Sequence, residues 1–373
     1  MSIEALVEVS RYYGVNPDYV IAGGGNTSFK DNDTLYVKGS GQVLAEVVPD
    51  SFVRMDRKAL AMIWEKAYPE DEAEREKAVL SDLMAARKSG EEEKRPSVET
   101  MLHDLLPFNF VVHLHPALVN GLTCSQQGEK AMAEIFGGEA VWIPPTNPGY
   151  VLSKKVKTAL GNYQGSNGCS PRIIFLQNHG VFAGSDSVES IKKIYSDIMQ
   201  RLEKRIKKYP EFSVEGEMSG ERMNMLNEIK PVLEEISGGN AVFLCNREIA
   251  ALVRDKTSFY PVSSALTPDH IVYAGSDPLF TAAGTTAILR EDWKQHIDNT
   301  GRPPKIAAVR GLGVFGLGAT EKAAALALEL FRDTVKIAVF SESFGGVKFM
   351  SRDKIDFINN WEAERFRSKV SVK

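Results

Sequence analysis

Residues 108–116, FNFVVHLHP, decide the fold. Aromatic and β-branched residues between Pro107 and Pro116 predict a buried strand. Residues two apart on a strand point to the same face, so His113 and His115 are expected to project side by side. Two such imidazoles can converge on one metal ion. They can equally be a hydrogen-bonded pair that lines a half-buried sheet, and a His-x-His motif alone does not decide between these readings.

Length and composition set the broad class of the protein. A chain of 373 residues predicts two domains. Its apolar fraction of 43% and charged fraction of 25% are ordinary for a soluble globular protein. The net charge of −4, without a basic block, argues against a general nucleic-acid surface. No apolar run is long enough to span a bilayer and the N-terminus lacks a signal pattern, so we expect no membrane partner.

The cysteines predict a compartment. Cys124, Cys169 and Cys245 are odd in number and far apart, which fits neither a disulfide framework nor Cys-x-x-Cys metal spacing. A reducing, cytoplasmic location is therefore expected. No internal repeat is visible in the sequence.

Two glycine-rich loops flank a predicted hairpin whose strands lie near 27–29 and 35–38. Residues 23–27 read GGGNT and residues 38–41 read KGSG. Exposed backbone N–H groups in such loops can cradle a phosphate. The alternative is that glycine and asparagine simply form turns.

A carboxylate precedes the buried strand. Ser97 is predicted to cap a helix over Val98–Leu106, which places Glu99 in the first turn, where the helix dipole favours an acidic residue. The short turn Pro107–Asn109 can also hold this carboxylate close to the two histidines. His103, one helical turn after Glu99, either hydrogen-bonds near the site or packs, and packing is the favoured reading.

A third histidine follows in a later hairpin. Arg172–Leu176 and Val181–Ala183 are predicted strands, and Asn178–Gly180 forms the turn between them. His179 therefore lies at a strand end, a common location for functional side chains. Three histidines and a nearby carboxylate are the parts of a catalytic zinc site with an open coordination position.

At this point residues 1–210 resemble the class II, zinc-dependent aldolase/adducin family. Five pieces carry the resemblance in the family's order: Gly25-Asn26-Thr27-Ser28, Lys38-Gly39-Ser40-Gly41, Ser97-Val98-Glu99, His113-Leu114-His115-Pro116 and Asn178-His179-Gly180. The family's fold is a three-layer α/β/α arrangement around a mixed, largely antiparallel sheet.

The resemblance also assigns roles to residues. It implies that His113, His115 and His179 bind Zn²⁺ and that Glu99 is the catalytic acid/base. It implies that the phosphate of the substrate is bound by Gly25, Asn26, Ser40, Gly41 and Ser97. One departure is Val98, where related sugar-phosphate aldolases tend to have a second hydroxyl residue before the glutamate.

The spacing from Glu99 to His113 is shorter than in the small fuculose-phosphate aldolases. It is similar to that in the aldolase portion of the bifunctional rhamnulose-1-phosphate aldolase/lactaldehyde dehydrogenases. This likeness extends through residues 266–270, 311–315 and 357–362, and no short-chain dehydrogenase module is expected in the chain. It implies zinc-dependent cleavage of a ketose 1-phosphate, similar to rhamnulose 1-phosphate, into dihydroxyacetone phosphate and a short aldehyde. It also implies a homo-oligomer, a tetramer in this family.

We predict a zinc domain over 1–237 and a smaller C-terminal α/β domain of unassigned role over 238–373. In the latter, 241–244 and 306–309 are predicted strands and 320–338 a predicted helix. Residues 311–316, GLGVFG, match the dinucleotide pattern G-x-G-x-x-G between a strand and a helix. Only 335–340 remains as an obvious following strand, so a complete dinucleotide-binding fold is not expected.

Three other functions remain open at this stage. A pentulose-phosphate 4-epimerase shares the fold and the metal triad. A non-catalytic, adducin-like binding protein shares the fold without needing the triad. A nucleotide-dependent oxidoreductase is suggested by the glycine motif alone.

Overall fold

Two β-sheets, each covered by helices, organise the chain. The computed structural model describes residues 2–214, 218–282 and 285–363. Within these residues the first sheet has the strand order β3-β2-β1-β4-β7-β6-β5 and the second the order β8-β11-β10-β9. The strands are β1 (Asn26–Lys30), β2 (Thr34–Lys38), β3 (Phe52–Asp56), β4 (Phe110–Leu114), β5 (Ala140–Ile143), β6 (Ile173–Leu176), β7 (Gly180–Ser185), β8 (Asn240–Leu244), β9 (Leu279–Thr281), β10 (Ile306–Val309) and β11 (Gly313–Gly318).

Fourteen α-helices are described along with these strands. They are α1 (Ile3–Gly14), α2 (Arg57–Ile63), α3 (Glu72–Ala85), α4 (Thr100–Leu105), α5 (Ala117–Thr123), α6 (Gly128–Phe136), α7 (Tyr150–Asn167), α8 (Val188–Glu203), α9 (Gly220–Ser237), α10 (Arg247–Leu252), α11 (Lys256–Phe259), α12 (Thr286–Thr300), α13 (Glu321–Ser341) and α14 (Arg352–Asn360). Residues His270–Ala274 form a π-helical turn. Among the described residues, no helix combines the length and apolarity that crossing a bilayer requires.

The first sheet is the middle layer of three. Every residue of β4 is buried, and its side chains alternate between two cores, as strand geometry requires. Val112 and Leu114 pack with α1, α5 and α8 on one face. Val111 packs with α4 and α7 on the other face. Neighbouring strands are antiparallel except for the parallel pair β5–β6, so the predicted three-layer, largely antiparallel architecture is confirmed.

The second sheet forms a smaller C-terminal layer. One face packs against α13 and the other against α9 and α12. Helix α13 also contacts α5, which joins the two sheets. The predicted boundary at residue 237 stays a prediction; α9, which precedes it, packs against the second sheet.

The C-terminal sheet has the same topology as part of the first. In both β4–β7 and β8–β11, the fourth strand lies between the first and third and is antiparallel to each. In both, the second and third strands are parallel. No repeat is visible in the sequence, so this shared topology is evident only in the structure.

Three local predictions in the sequence are corrected. Residues 335–340 are the last turns of α13 rather than a strand, because this apolar stretch is buried between the two sheets. Residues 311–316 form a hairpin turn that runs into β11, so the glycine motif does not join a strand to a helix. Helix α4 begins at Thr100 rather than Val98, which places Glu99 just before its first turn.

Candidate metal centre

Three histidines converge because strand β7 pairs with strand β4. His113 is on β4, His115 follows that strand directly, and His179 is in the loop between β6 and β7. The pairing of β7 with β4 brings this loop beside His113. The Nε2 atom of His113 lies 2.9 Å from Nε2 of His115 and 3.4 Å from Nε2 of His179. One ligand atom from each ring lies within 4.8 Å of the others.

Hydrogen bonds at the opposite ring nitrogen orient two of these imidazoles. His113 Nδ1 lies 3.1 Å from the Val181 carbonyl oxygen, which can only accept a proton. His115 Nδ1 lies 2.5 Å from Oδ2 of Asp269. When Nδ1 donates in each ring, the Nε2 lone pair is left to face the cluster.

Burial keeps the third imidazole neutral. The side chain of His179 is 10% exposed, and burial lowers its pKa to about 3, although the nearby Glu99 carboxylate acts against this shift. A neutral imidazole offers a lone pair, which is the form that binds a metal ion.

Glu99 faces the same point from the edge of α4. Its Oε1 atom lies 3.6 Å from Nε2 of His113 and 3.5 Å from Nε2 of His179. Its Oε2 atom accepts a 2.6 Å hydrogen bond from the Asn26 amide. Oε1 is buried and has no hydrogen-bond partner among the described residues. A buried carboxylate oxygen without a donor is costly.

These donors fit a divalent cation. Zinc–nitrogen bonds of 2.0–2.1 Å in a tetrahedral site place neighbouring ligand atoms about 3.3 Å apart. Four of the separations are 2.9–3.6 Å and bracket that value: those from His113 to His115, His179 and Glu99, and that from His179 to Glu99. The ligand atoms of the three imidazoles all lie within 4.8 Å of one another. Three imidazole nitrogens and the unsatisfied Glu99 oxygen therefore form a set to which an ion could bind.

His103 does more than pack, contrary to the reading favoured from the sequence. Its Nδ1 lies 2.8 Å from the Ser28 hydroxyl and its Nε2 contacts Oδ1 of Asn26. Burial lowers the pKa of His103 well below its ordinary value. The ring thereby fixes the Asn26 amide, whose NH₂ group in turn holds Glu99.

The two glycine-rich loops meet at the same site. The predicted phosphate-binding residues line one pocket, which Glu99, His115 and His179 also line: Gly25, Asn26, Ser40, Gly41 and Ser97. Lys38 lines it as well. The loops converge because Ser40 N donates to the Arg95 carbonyl at 2.8 Å, which ties residues 38–41 to the segment that precedes Glu99.

Several of these groups already have partners. The Asn26 amide nitrogen serves Glu99 and lies 3.3 Å from the Ser97 hydroxyl. The Lys38 ammonium donates to the Gln42 carbonyl at 2.6 Å. The pocket encloses about 40 Å³, which is close to the volume of one water molecule. A sugar phosphate would therefore require its walls to separate.

Two residues that support the site have no role assigned from the sequence: Asp269 is not singled out, and Asn178 is named only as part of a turn and of the family motif. Asp269 lies 154 positions beyond His115, and no local pattern connects them. Asn178 has a positive φ of 57°, and its amide donates to the carbonyls of Leu266 at 3.1 Å and Lys348 at 2.7 Å. The only available signal was the likeness of residues 266–270 to the longer bifunctional proteins, which did not assign a role to any of them.

Comparison with known families places most of this site in one matched segment. The family described as class II aldolase and adducin N-terminal domain matches residues 4–202. That segment contains the three histidines and Glu99. The uncharacterized oxidoreductase YuxG of Bacillus subtilis (strain 168) is 26% identical over 213 residues, covering 55% of this chain and 29% of YuxG. The chain thus spans less than a third of this relative's length.

Solved structures resemble about half of the chain. The N-terminal class II aldolase domain of a conserved protein from Thermoplasma acidophilum has 28% identity and a TM-score of 0.46, covering 55% of this chain and 93% of that one. The L-fuculose-1-phosphate aldolase of Thermus thermophilus has 16% identity and a TM-score of 0.34, covering 54% and 89%.

Proposed function

The chain belongs to the class II aldolase and adducin N-terminal domain family, and from that membership we propose that it is a metal-dependent aldolase. The proposed reaction is retro-aldol cleavage of a ketose 1-phosphate, similar to rhamnulose 1-phosphate, into dihydroxyacetone phosphate and a short aldehyde. One observation carries the proposal: the buried Glu99 Oε1 atom has no hydrogen-bond partner among the described residues and faces the Nε2 atoms of His113 and His179.

The proposed ion is zinc, which three imidazoles suit well. Held by His113, His115 and His179, it would supply Lewis-acid polarisation of the substrate carbonyl and adjacent hydroxyl. The chain's own contribution is to aim these rings at one point and to keep the His179 imidazole neutral. A binding protein without catalysis has no need of this set, which argues against an adducin-like scaffold.

Glu99 is the proposed proton carrier. As the bond between C3 and C4 breaks, the C4 hydroxyl loses its proton and becomes the aldehyde carbonyl, while the electron pair of the bond stays on C3. Glu99 delivers a proton to C3, so the proton lost at C4 is balanced by the proton gained at C3; in synthesis Glu99 removes the proton from C3. The hydrogen bond from Asn26 to Oε2 leaves Oε1 without a donor among the described residues, so Oε1 is the proposed proton-carrying oxygen. His103 supports this arrangement by fixing the Asn26 amide.

The phosphate would occupy the end of the pocket lined by the glycine-rich loops. Gly25 and Gly41 leave the backbone accessible there, and Lys38 adds a positive charge. Ser40 and Ser97 contribute hydroxyl groups, whereas the Asn26 amide is engaged by Glu99. Phosphate binding remote from the broken bond would then raise the rate of cleavage.

Substrate comparison tests the proposal. We expect ketose 1-phosphates to be cleaved much faster than the free ketoses, and dihydroxyacetone phosphate to appear in step with the aldehyde. Ser40→Glu places a negative charge beside the phosphate and should remove this preference. Equal rates on phosphorylated and free sugars would refute the phosphate assignment. An epimeric ketose phosphate as the only product would establish the epimerase instead.

Assembly and location are separate proposals. We infer a homo-oligomer, which light scattering of the purified protein would test; a monomer would refute it. Cys124, Cys169 and Cys245 are free thiols, and the cytoplasmic location stays a prediction.

A further inference from the structure

The side chain of Asp269, in the C-terminal domain, reaches the metal centre. The Oδ2 atom of Asp269 lies 2.5 Å from Nδ1 of His115, and the two side chains are 7% and 9% exposed. Asp269 lies outside the segment that matches the aldolase and adducin family. The contact therefore joins a residue of the family's site to a part of the chain that has no assigned role.

The Asp269 carboxylate lies against the backbone of Gly24. A Cβ atom at Gly24 would come within 2.6 Å of Asp269 Oδ2. The glycine thus leaves the space that the carboxylate occupies.

The chemistry of this pair is directional. A carboxylate accepts the Nδ1–H of His115, which selects one tautomer and leaves the Nε2 lone pair pointing at His113 Nε2, 2.9 Å away. His113 receives the same treatment from a backbone carbonyl within its own sheet. A carboxylate differs from a carbonyl because its negative charge also makes the imidazole a stronger ligand.

We propose that Asp269 is a positioning residue that completes the metal centre by orienting His115. The C-terminal domain is then part of the site rather than an appendage. This inference rests on the proposed metal-binding function of the three histidines.

Zinc affinity, measured without any turnover, tests the inference. Competition with a chromophoric chelator gives the dissociation constant of each full-length variant. Asp269→Asn keeps the size of the side chain and removes its charge, and we expect zinc binding to weaken by about 10- to 100-fold. Gly24→Ala approaches the same carboxylate from another part of the chain and should weaken binding in the same direction, whereas Gly138→Ala, which meets nothing within 4 Å, should not.

Asp333→Asn is the matched control. It breaks the other buried aspartate–histidine pair of the same domain, at His270, and should lower the melting temperature without changing zinc affinity. The visible spectrum of bound Co²⁺ adds a readout of ligand geometry: it should change in Asp269→Asn and stay unchanged in Asp333→Asn.

The outcomes separate the two proposals. Wild-type protein that binds zinc, with Asp269→Asn binding it equally well and with the same Co²⁺ spectrum, would overturn the role of Asp269 alone. Equal weakening in Asp269→Asn and Asp333→Asn would also overturn it, because the effect would then be general destabilisation. Wild-type protein that binds no zinc would overturn the proposed function and this inference with it.

Discussion

Two four-stranded units of this molecule share one topology, but among the described residues only one of them brings three histidines together. The unit β4–β7 and the unit β8–β11 have the same strand order and the same parallel and antiparallel pairs. In each, a three-residue loop connects the last two strands, and a helix with a hydroxyl side chain as its N-cap follows. Among the described residues, the three-histidine cluster of the first unit has no counterpart in the second.

Strand register aligns the two units residue by residue. His113 pairs with Phe182 in the first unit, and Phe243 pairs with Phe315 in the second. Phe182 and Phe315 each lie two residues after the glycine that begins their strand, Gly180 in β7 and Gly313 in β11. The corresponding positions are therefore His113 and Phe243, His115 and Cys245, and His179 and Leu312. At these three positions the second unit has two apolar side chains, Phe243 and Leu312, and one thiol, Cys245.

The backbone of the loop is the same in both units. Asn178 and Gly311 occupy equivalent positions with φ values of 57° and 71°. The next residue donates its N–H to the strand end, His179 to Leu176 at 3.2 Å and Leu312 to Val309 at 3.0 Å. The same loop backbone can therefore carry either a histidine or a leucine, and the side chain determines whether a metal ion can bind there.

The largest effect should come from making the first loop resemble the second. His179→Leu removes one of three ligands, and the equivalent loop shows that leucine can be accommodated. We expect the metal content after dialysis to fall from about one ion per chain to below about 0.1, while the circular dichroism spectrum stays native. Leu312→Met in the second loop is the control and should keep its metal. Unchanged metal content in His179→Leu would show that His179 is not a metal ligand.

The next largest effect concerns Glu99, the carboxylate that faces the first unit's histidines. Glu99→Gln should lower turnover by about two to four orders of magnitude, because proton transfer to C3 is lost. Glu76→Gln is a matched control that should keep turnover, since Glu76 is another buried carboxylate whose Oε1 atom has no hydrogen-bond partner among the described residues but which lies outside the cluster. Near-normal turnover in Glu99→Gln would reduce this residue to a structural role.

A smaller effect is expected at Asn178, which differs from Gly311 by its side chain. Asn178→Gly removes the hydrogen bonds to Leu266 and Lys348. Each such bond contributes about 0.5–1.5 kcal/mol to stability, whereas glycine relieves some strain at positive φ. We therefore expect the free energy of unfolding to fall by about 1–2 kcal/mol. Urea denaturation measures this change. A stability equal to the wild type would mean that these bonds do not hold the two domains together.

The reverse exchange should have the smallest effect. A Cβ atom at Gly311 would meet nothing within 4 Å, and asparagine tolerates positive φ. Gly311→Asn should therefore change the free energy of unfolding by less than about 0.5 kcal/mol, whereas Gly311→Val should destabilise by more than about 1 kcal/mol because a β-branched residue resists this conformation. The same urea titration compares them, and a large loss in Gly311→Asn would show that the two loops differ in more than their side chains.

The sequence predicted the local parts of this arrangement. Period-two alternation correctly predicted that His113 and His115 project side by side, although the strand ends at Leu114 and His115 follows it. Turn residues predicted the hairpins on either side. The resemblance brought His179 and Glu99 into the same set. These inferences succeeded because a strand and a tight turn are determined largely by neighbouring residues.

The rest depended on contacts between distant segments. Asp269 lies beside His115 because α13 packs between the two sheets and brings their segments together. Residues 335–340 have the composition of a strand, but tertiary burial makes them part of that helix. The shared strand topology could not be identified from the sequence, because the clearest motif that the two units share, Gly-Val-Phe at 180–182 and 313–315, is too short to indicate a repeat. Strand register and side-chain networks of this kind become visible only in three dimensions.

An anomalous-scattering map tests the central claim most directly. Crystals of the zinc-loaded wild-type protein would be measured on both sides of the zinc absorption edge. We predict one strong peak per chain, within bonding distance of the Nε2 atoms of His113, His115 and His179, and no peak beside Cys245 in the second unit. A map with no peak at the three histidines, or with its main peak elsewhere in the chain, would contradict the account.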